Sequence, residues 1–460
     1  MNILDYIGKI NDFVWTYVVI TMLVCCAIYY TWKLRGVQFT HIGQMLHDLT
    51  GKGPAQKKGK TISSFQAFAV SLSSRVGTGN LAGVASAIFV GGPGAVFWMW
   101  VMALLGASTA FMEATLAQLF KRKGEDSFYG GPAYYMQYGL KRRWMGILFA
   151  IFIIYGFGLA NQIVQSNTLC DALSNSFSIP PQSVAFVLTA FTLIIIFGGI
   201  QRIARFSALV VPFMAIGYLI LSLIILFMNL EKIPDMLELI IKSAFGWEQA
   251  AGGAVGTAIM QGVKRGLFSN EAGEGSAPNA AATANISHPV KQGLLQSFGV
   301  FVDTLVICTC TAIIIILSGL YDSGADGIIL TSNAMDFHLG TMGKWFLTAA
   351  ITLFAYSTII ANYFYGEANI RFISKNKWGL FAFRIASGIV VLAGGFMTLQ
   401  QAWCLVDLAM ALMTILNLIA VTMLSKYAFK LLEDYKRQKK EGKDPEFDKK
   451  IFTDTDLEAW

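Results

Sequence analysis

Stretches of about 20 residues almost free of charge recur along the whole chain. A helix needs about that length to cross the hydrocarbon core of a bilayer. The 460 residues are 55% hydrophobic and only 14% charged, against roughly a quarter charged in soluble domains. The pattern predicts an all-α integral membrane protein. We read about 11 spanning helices, at 13–32, 65–90, 94–120, 145–172, 183–200, 206–229, 249–270, 293–318, 345–367, 378–398 and 401–425. Trp15, Trp32, Trp98, Trp100, Trp144, Trp345 and Trp403 fall near predicted helix ends, as an interfacial belt requires. The first apolar segment, Val14 to Tyr30, is too long for a signal sequence and lacks a basic leader and a cleavage site, so it counts as a span. Cys25, Cys26, Cys170, Cys308, Cys310 and Cys404 lie in apolar stretches without metal spacing and read as packing residues.

The connections set the orientation. Lys33, Arg35, Lys52, Lys57, Lys58 and Lys60 fill the first, and basic residues return in every second one, ending with the tail from Lys426. The intervening ones are neutral or acidic, as with Asp322, Asp326 and Asp336. Basic loops stay cytoplasmic, which predicts a multi-pass protein of a bacterial inner membrane, N-terminus outside and C-terminus inside. The net charge of +7 thus reflects cytoplasmic loops, not a nucleic-acid partner. Setting the first helix aside leaves ten, which divide into five plus five. An odd number per unit forces the second to be inverted, an arrangement common in secondary transporters. The expected units are an extra N-terminal helix (1–32), a basic cytoplasmic loop (33–64), a first repeat (65–229), a second, inverted repeat (249–425), and a solvated cytoplasmic tail without chemistry (426–460).

Chemistry belongs where a helix is broken. The first helix of the first repeat carries Ser73-Ser74-Arg75-Val76-Gly77-Thr78-Gly79-Asn80-Leu81-Ala82-Gly83. Unwound backbone at membrane depth survives only where it is buried or lines a cavity. Freed amides attract a carboxylate and freed carbonyls a hard cation, a pairing that suits an amino acid travelling with sodium. Gly79 and Gly83, four apart, also fit simple close helix packing; Thr78 and Asn80 at the same depth favour a site. The equivalent helix of the second repeat is punctuated by Gly252, Gly253, Gly256, Gly262 and Gly266 and runs into Phe268-Ser269-Asn270-Glu271-Ala272-Gly273-Glu274-Gly275-Ser276. Paired interruptions point to a transporter site; either Gln261 to Glu271 reaches the cavity, or Ser269 to Ser276 is an ordinary loop beyond the helix.

Other intramembrane polar groups are costly and therefore informative. Gln162 and Gln165, about one turn apart, are placed to face one cavity. Ser357 and Thr358 offer adjacent hydroxyls for sodium, or else bond their own helix. Asp303 either balances a cation or pairs with Arg75 or Lys264. Glu113 and Glu367 lie near cytoplasmic ends and are expected to snorkel outside the site. Small residues at Gly79, Ala82 and Gly83, with Phe268 and Trp403 available opposite, predict a small pocket. His41, His47, His288 and His338 are too scattered for a metal or a triad, and no nucleotide motif is present. An enzyme is not expected, no cofactor is implied, and transport must draw on an ion gradient.

The run Gly91-Gly92-Pro93-Gly94-Ala95-Val96-Phe97-Trp98-Met99-Trp100-Val101-Met102-Ala103-Leu104-Leu105-Gly106 resembles the signature of the alanine or glycine:cation symporter family. Gly77-Thr78-Gly79-Asn80, Tyr129-Gly130-Gly131-Pro132, Gln165-Ser166-Asn167, Phe268 to Gly273 and Phe354-Ala355-Tyr356-Ser357-Thr358 are similar to further motifs of that family. The resemblance covers roughly Asp12 to Ser425. It implies a leucine-transporter type of fold and sodium- or proton-coupled uptake of alanine or glycine, with glutamine taken by some members. The Gly77 to Asn80 break also resembles that of sodium-coupled neurotransmitter-type symporters. On that similarity Thr78 and Gly79 give amides to the substrate carboxylate, and Ser73 and Val76 give carbonyls to a sodium ion completed by Ser357 and Thr358. The chain departs from that pattern in Arg75, a cation that repels sodium unless it points to the cytoplasmic mouth or pairs with an acid. The candidate substrate residues are Thr78, Gly79, Asn80, Gln165, Gln261, Phe268, Asn270 and Trp403. The partners expected are a small neutral amino acid, sodium and the lipid bilayer. An ion channel is the competing class; isolated polar breaks in one long chain favour a gated single site.

Overall fold

The computed structural model describes residues 3–50, 61–124, 127–246, 252–374, 376–453 and 455–460, leaving out the side chains of 3–7, 50, 252–254 and 399–405. The chain is almost entirely helical, with one two-stranded hairpin, β1 (Arg122–Lys123) against β2 (Phe128–Tyr129). The helices are α1 (3–33), α2 (Ile42–Thr50), α3 (Ser64–Arg75), α4 (Gly79–Gly91), α5 (Gly94–Leu119), α6 (Pro132–Tyr138), α7 (Arg143–Phe177), α8 (Pro181–Ile196) and α9 (Gly199–Met228). There follow α10 (Ile233–Phe245), α11 (Gly252–Asn270), α12 (Pro278–Ala281), α13 (Pro289–Ser318), α14 (Gly327–Leu339), α15 (Thr341–Ile373), α16 (Lys377–Phe396) and α17 (Leu399–Lys440). Among the described residues, eight helices are long and apolar enough to cross a membrane, with Gly79–Gly91 and Pro181–Ile196 as shorter apolar ones.

Local chemistry sets many boundaries. A capping box of Ser63 and Gln66 opens α3, and Pro132, Pro181, Pro278 and Pro289 occupy first-turn positions where no amide is needed. Packing then sorts the helices. α5 is buried along most of its length and lies against α1, α11 and α13. Its close approach to α11 relies on Gly262, where a Cβ would stand 2.4 Å from the Ala95 carbonyl oxygen. α9 turns an apolar stripe outward instead: Leu209 and Phe213 are 76% and 74% exposed, with Ile216, Ile220 and Phe227 beside them. A stripe of that size is a liability in water and a normal lipid-facing surface.

Two interruptions organise the centre. The predicted helix 65–90 is two pieces, α3 and α4, separated at residues 76–78. The helix read as 249–270 ends at Asn270 but is followed by a buried non-helical stretch, 271–277, and then α12. Residues 269–276 are therefore not an ordinary surface loop: every one of them is buried. Other boundaries shift. α9 begins seven residues before the predicted 206, and α17 continues to Lys440, well past 425. α2, α6, α10 and α14 are helices that the span-by-span reading left as connections.

The tail is not merely solvated. It folds back: Trp460 Nε1 donates to the Gln118 carbonyl at 3.1 Å, Arg122 pairs with Asp456 at 2.9 Å, and Lys291 pairs with Asp444 at 2.7 Å. A polar composition suggested an extension, whereas its aromatic residues Phe447 and Trp460 pack on each other and Phe447 on His288.

Candidate functional site

At the first break the backbone leaves the helix at Val76 (φ −80°, ψ 84°). The freed Gly77 N–H donates to Asn80 Oδ1 at 2.9 Å, and the Thr78 N–H to Gln165 Oε1 at 3.0 Å. Unused amides near a helix start are what a carboxylate binds; here Gln165 from α7 occupies one of them. The Gln165 amide nitrogen donates in turn to Asn161 Oδ1, 2.9 Å away. The Thr78 hydroxyl is buried and unpartnered.

On the N-terminal side of this break, three oxygens converge. The Thr358 hydroxyl on α15 lies 2.8 Å from the Ser73 carbonyl and 3.4 Å from the Val76 carbonyl. Two carbonyls and a hydroxyl make a hard-cation set. Ser357 behaves differently. Its hydroxyl donates to the Phe354 carbonyl of its own helix at 3.0 Å, while its carbonyl accepts from Ser73 Oγ at 2.9 Å. Thr358 thus faces the break, and Ser357 reaches it through its backbone.

The second break meets the first through Asn80. Its Nδ2 lies 2.6 Å from Asp303 Oδ1 on α13 and 2.9 Å from Ser269 Oγ at the end of α11. Ser269 and Thr304 hydroxyls donate to Asp303 Oδ2 at 2.7 and 2.8 Å. Asp303 therefore pairs with neither Arg75 nor Lys264; Lys264 pairs with Asp407 of α17 at 2.5 Å. Asn270 caps the turn, its Nδ2 3.2 Å from Thr304 Oγ1 and its Oδ1 3.0 Å from the Ala272 N–H. The Phe268 ring covers Gly79, where a Cβ would come within 2.9 Å of it.

The remaining expectations separate. Gln261 lies against Gly91 at the far end of α4, about 18 Å along the helix from Gly79; the helix places it away from the break. Gln162 does not share a cavity with Gln165: its Oε1 accepts from Ser387 Oγ of α16 at 2.7 Å. The side chain of Trp403 lies outside the described residues. Glu113 and Glu367 do not snorkel. Glu367, 2% exposed, is bound by Arg371 at 2.7 Å. Glu113, 0% exposed, accepts from the Gly273 N–H at 3.3 Å and from Asn417 Nδ2 at 2.8 Å.

Sequence reasoning missed this acidic quarter of the site. The segment 271–277 turns through left-handed residues at Glu271 (φ 55°), Gly273 (φ 96°) and Gly275 (φ 82°), conformations that suit the two glycines and strain the glutamate. The turn points Glu271 inward, where Ser74 donates to it at 2.5 Å and Ser276 donates to its other oxygen. Asn362 lies 2.7 Å from the same Ser74 hydroxyl. The available signal was the Glu-Ala-Gly-Glu-Gly-Ser run itself, two acids spaced by glycines beside a helix break.

Comparison with known proteins gives this arrangement a context. The family described as the sodium:alanine symporter family matches residues 1–449. A probable sodium/glutamine symporter of Bacillus subtilis (strain 168), GlnT, is 48% identical over 462 residues, covering 100% of this chain and 96% of the relative. A putative sodium/proton-dependent alanine carrier of the same organism, YrbD, is 41% identical over 473 residues, covering 99% and 97%. Among solved structures, MhsT in complex with L-phenylalanine aligns with a TM-score of 0.57 at 13% identity, over 82% of this chain and 90% of that one. A likeness at that identity bears on the fold alone.

Proposed function

The chain belongs to the sodium:alanine symporter family, transporters rather than enzymes, and from that premise we propose that it takes up a small neutral amino acid, alanine or glycine first, together with sodium by alternating access. The observation that carries this reading is the convergence of the Ser73 and Val76 carbonyls on the Thr358 hydroxyl, beside a broken helix whose Thr78 amide is held by Gln165. In the proposed loaded form the substrate carboxylate takes the place of Gln165 Oε1 at the Thr78 amide, with Gly79 beneath it and Phe268 as the lid. Sodium takes the three oxygens below. Asn80, Ser269, Asn270 and Asp303 tie the two breaks together, so that closing one biases the other. We assign eleven spans, an extra first helix followed by a five-plus-five inverted repeat, in a bacterial inner membrane with the C-terminus in the cytoplasm. The paired breaks at 76–78 and 271–277 support that repeat.

A second substrate has its own support: the 48% identical relative is named for glutamine. Counterflow of labelled alanine, glycine, glutamine and leucine in proteoliposomes, with and without a sodium gradient, tests both. Sodium-dependent exchange of alanine or glycine is expected, with leucine weaker by roughly 10- to 200-fold, the range a hydrophobic pocket gives for excess methylenes. Equal exchange of leucine and alanine would overturn the small-pocket reading, and a preference for glutamine would favour the second. A sodium-independent ohmic current would overturn the symport reading.

A further inference from the structure

One buried side chain takes no part in the site as assembled so far. Glu274 stands in the middle of the 271–277 segment, 0% exposed, and neither of its carboxylate oxygens meets a donor. The charged groups that face it are Glu271 of the same segment, Glu113 of α5, Arg75 of α3 and Asp407 of α17. Asp407 is already held by Lys264 at 2.5 Å. Glu113 accepts from the Gly273 N–H and Asn417, and Glu271 from Ser74 and Ser276. Those donors favour the charged form of each. Arg75 is the second unusual group: it is 1% exposed, spends one N–H on the Gln296 carbonyl at 3.1 Å, and leaves Nε and Nη2 without partners.

Four buried carboxylates, Glu113, Glu271, Glu274 and Asp303, thus lie within reach of the charge on one buried guanidinium. Like charges in a low dielectric cannot all ionise, and an unpaired buried charge is neutralised before it is tolerated. Glu113, Glu271 and Asp303 each have donors, whereas Glu274 has none and is the group least able to hold a charge. A metal ion is the alternative to a proton, yet among the described residues no three acidic, histidine or cysteine side chains are grouped to hold one.

We propose that Glu274 is a proton-binding site of the transport cycle, protonated while buried as seen here and deprotonated when its segment opens to water. The inference rests on the symporter reading above; the name of the 41% identical relative already carries a proton, and what is added is the residue that would hold it. The step moves one proton between water and a Glu274 carboxylate oxygen; only an O–H bond forms or breaks, and the proton leaves as hydronium. The position favours such a switch. Glu274 sits between two left-handed glycines in the interruption of a helix, the part of such a fold that rearranges as access alternates.

The test uses the full chain in proteoliposomes holding a pH dye, with labelled alanine and glutamine as probes under a sodium gradient. Wild type is expected to change internal pH only when sodium and the amino acid are both present. Glu274→Gln, which mimics the protonated form, should fold, bind substrate with sodium within about 3-fold of wild type, and cut amino-acid-dependent proton movement by about 10-fold or more. Glu274→Asp, which keeps a titratable group, should restore proton movement with a shifted pH profile. If Glu274→Gln is not recovered folded, the Glu274→Asp profile decides alone: a pH profile identical to that of wild type overturns the proposal. Absence of proton movement in wild type, or its persistence in Glu274→Gln, also overturns it. A raised sodium requirement in Glu274→Gln with no change in proton movement would make the residue a sodium ligand, again overturning it. If wild type shows no sodium-driven uptake at all, the symporter reading fails instead.

Discussion

Two hydroxyls that are neighbours in sequence do different things, and Ser357 and Thr358 can be told apart by mutation. Thr358 Oγ1 points at the Ser73 and Val76 carbonyls, whereas Ser357 Oγ bonds the Phe354 carbonyl one turn back. Removing Thr358 Oγ1 takes away a side-chain ligand; removing Ser357 Oγ leaves the carbonyl that accepts from Ser73 in place. Thr358→Ala is therefore expected to raise the sodium concentration for half-maximal uptake by about tenfold, on the order of 1.4 kcal/mol. Ser357→Ala should shift it by less than about 3-fold, and saturating sodium should restore alanine affinity in both by mass action. Equal shifts in the two variants would mean that the ion sits elsewhere. Gly79 gives a second residue-scale prediction. Any Cβ there meets the Phe268 ring at 2.9 Å, so even Gly79→Ala forces the ring away from the break and should weaken alanine binding measured by calorimetry. Phe268→Leu in the same chain should recover part of the loss, because a smaller side chain can retreat. No recovery would show that the methyl blocks the substrate directly, not the lid.

At the scale of elements, one amide gathers several of the links between the breaks, beside the Ser74–Glu271 bond. Asn80 accepts from Gly77 and reaches Asp303 and Ser269, joining α3–α4 to α11 and α13. Asn80→Ala deprives a fully buried carboxylate of a donor, a loss of about 1–3 kcal/mol. Its unfolding midpoint in detergent should fall by several degrees, and sodium should protect it less than it protects wild type. Asp303→Asn should be milder in stability, since it removes the buried charge that needed the donors; a larger loss than that of Asn80→Ala would contradict the network. How far this was legible in the sequence follows from what each element depends on. Helices such as α5, α13 and α15 rest on length and hydropathy, which a sequence displays directly. The break at 76–78 was legible because Gly77, Thr78, Gly79 and Asn80 are poor helix residues for a lipid environment. The helix end at 270 was legible, but the interruptions read at Gly252, Gly253, Gly256, Gly262 and Gly266 lie within the unbroken α11, and the break comes at 271–277 through caps and left-handed turns that leave little compositional trace. Gln261 and Gln162 illustrate the limit: helical periodicity assigns a face, but which neighbour that face meets is fixed by packing of distant segments. The same reason hid Glu113, whose partners Gly273 and Asn417 are supplied by the non-helical 271–277 segment and by α17.

For the whole molecule, the tail matters because it ties the end of α5 to the start of α13, through Trp460 on Gln118 and Asp444 on Lys291. Its ion pairs are weak individually, since Asp456 and Glu458 are 65% and 48% exposed in their pairs with Arg122. The apolar contact is the stronger part: Phe447 packs on Trp460 and on the ring of His288, which also meets Tyr435. His288 is 0% exposed, and its Nδ1 accepts the Val290 N–H at 3.2 Å, capping α13. Burial pushes its pKa below the ordinary histidine range, although Asp434, with Oδ2 3.4 Å from Nε2, pulls the other way. Burial and the cap agree on a neutral ring, because a proton added at Nδ1 removes the acceptor that Val290 uses. The sign of the pH effect follows. With the folded pKa depressed, the folded chain binds fewer protons than the unfolded one once the pH drops below about 6.5. Stability is then lost as pH falls, by at most about 1.4 kcal/mol per pH unit from this one group. Between about pH 7.5 and about pH 5.5 the contribution of this one group to the unfolding midpoint of wild type in detergent should decline. His288→Gln keeps an acceptor for Val290 but cannot titrate, so its midpoint should start lower from lost ring packing and decline less steeply. Buried carboxylates contribute equally to both chains, which makes the difference between the two slopes the quantity to read. Parallel slopes would show that His288 is protonated in the folded chain and paired with Asp434, and that the tail is held by its aromatic contacts without any dependence on pH.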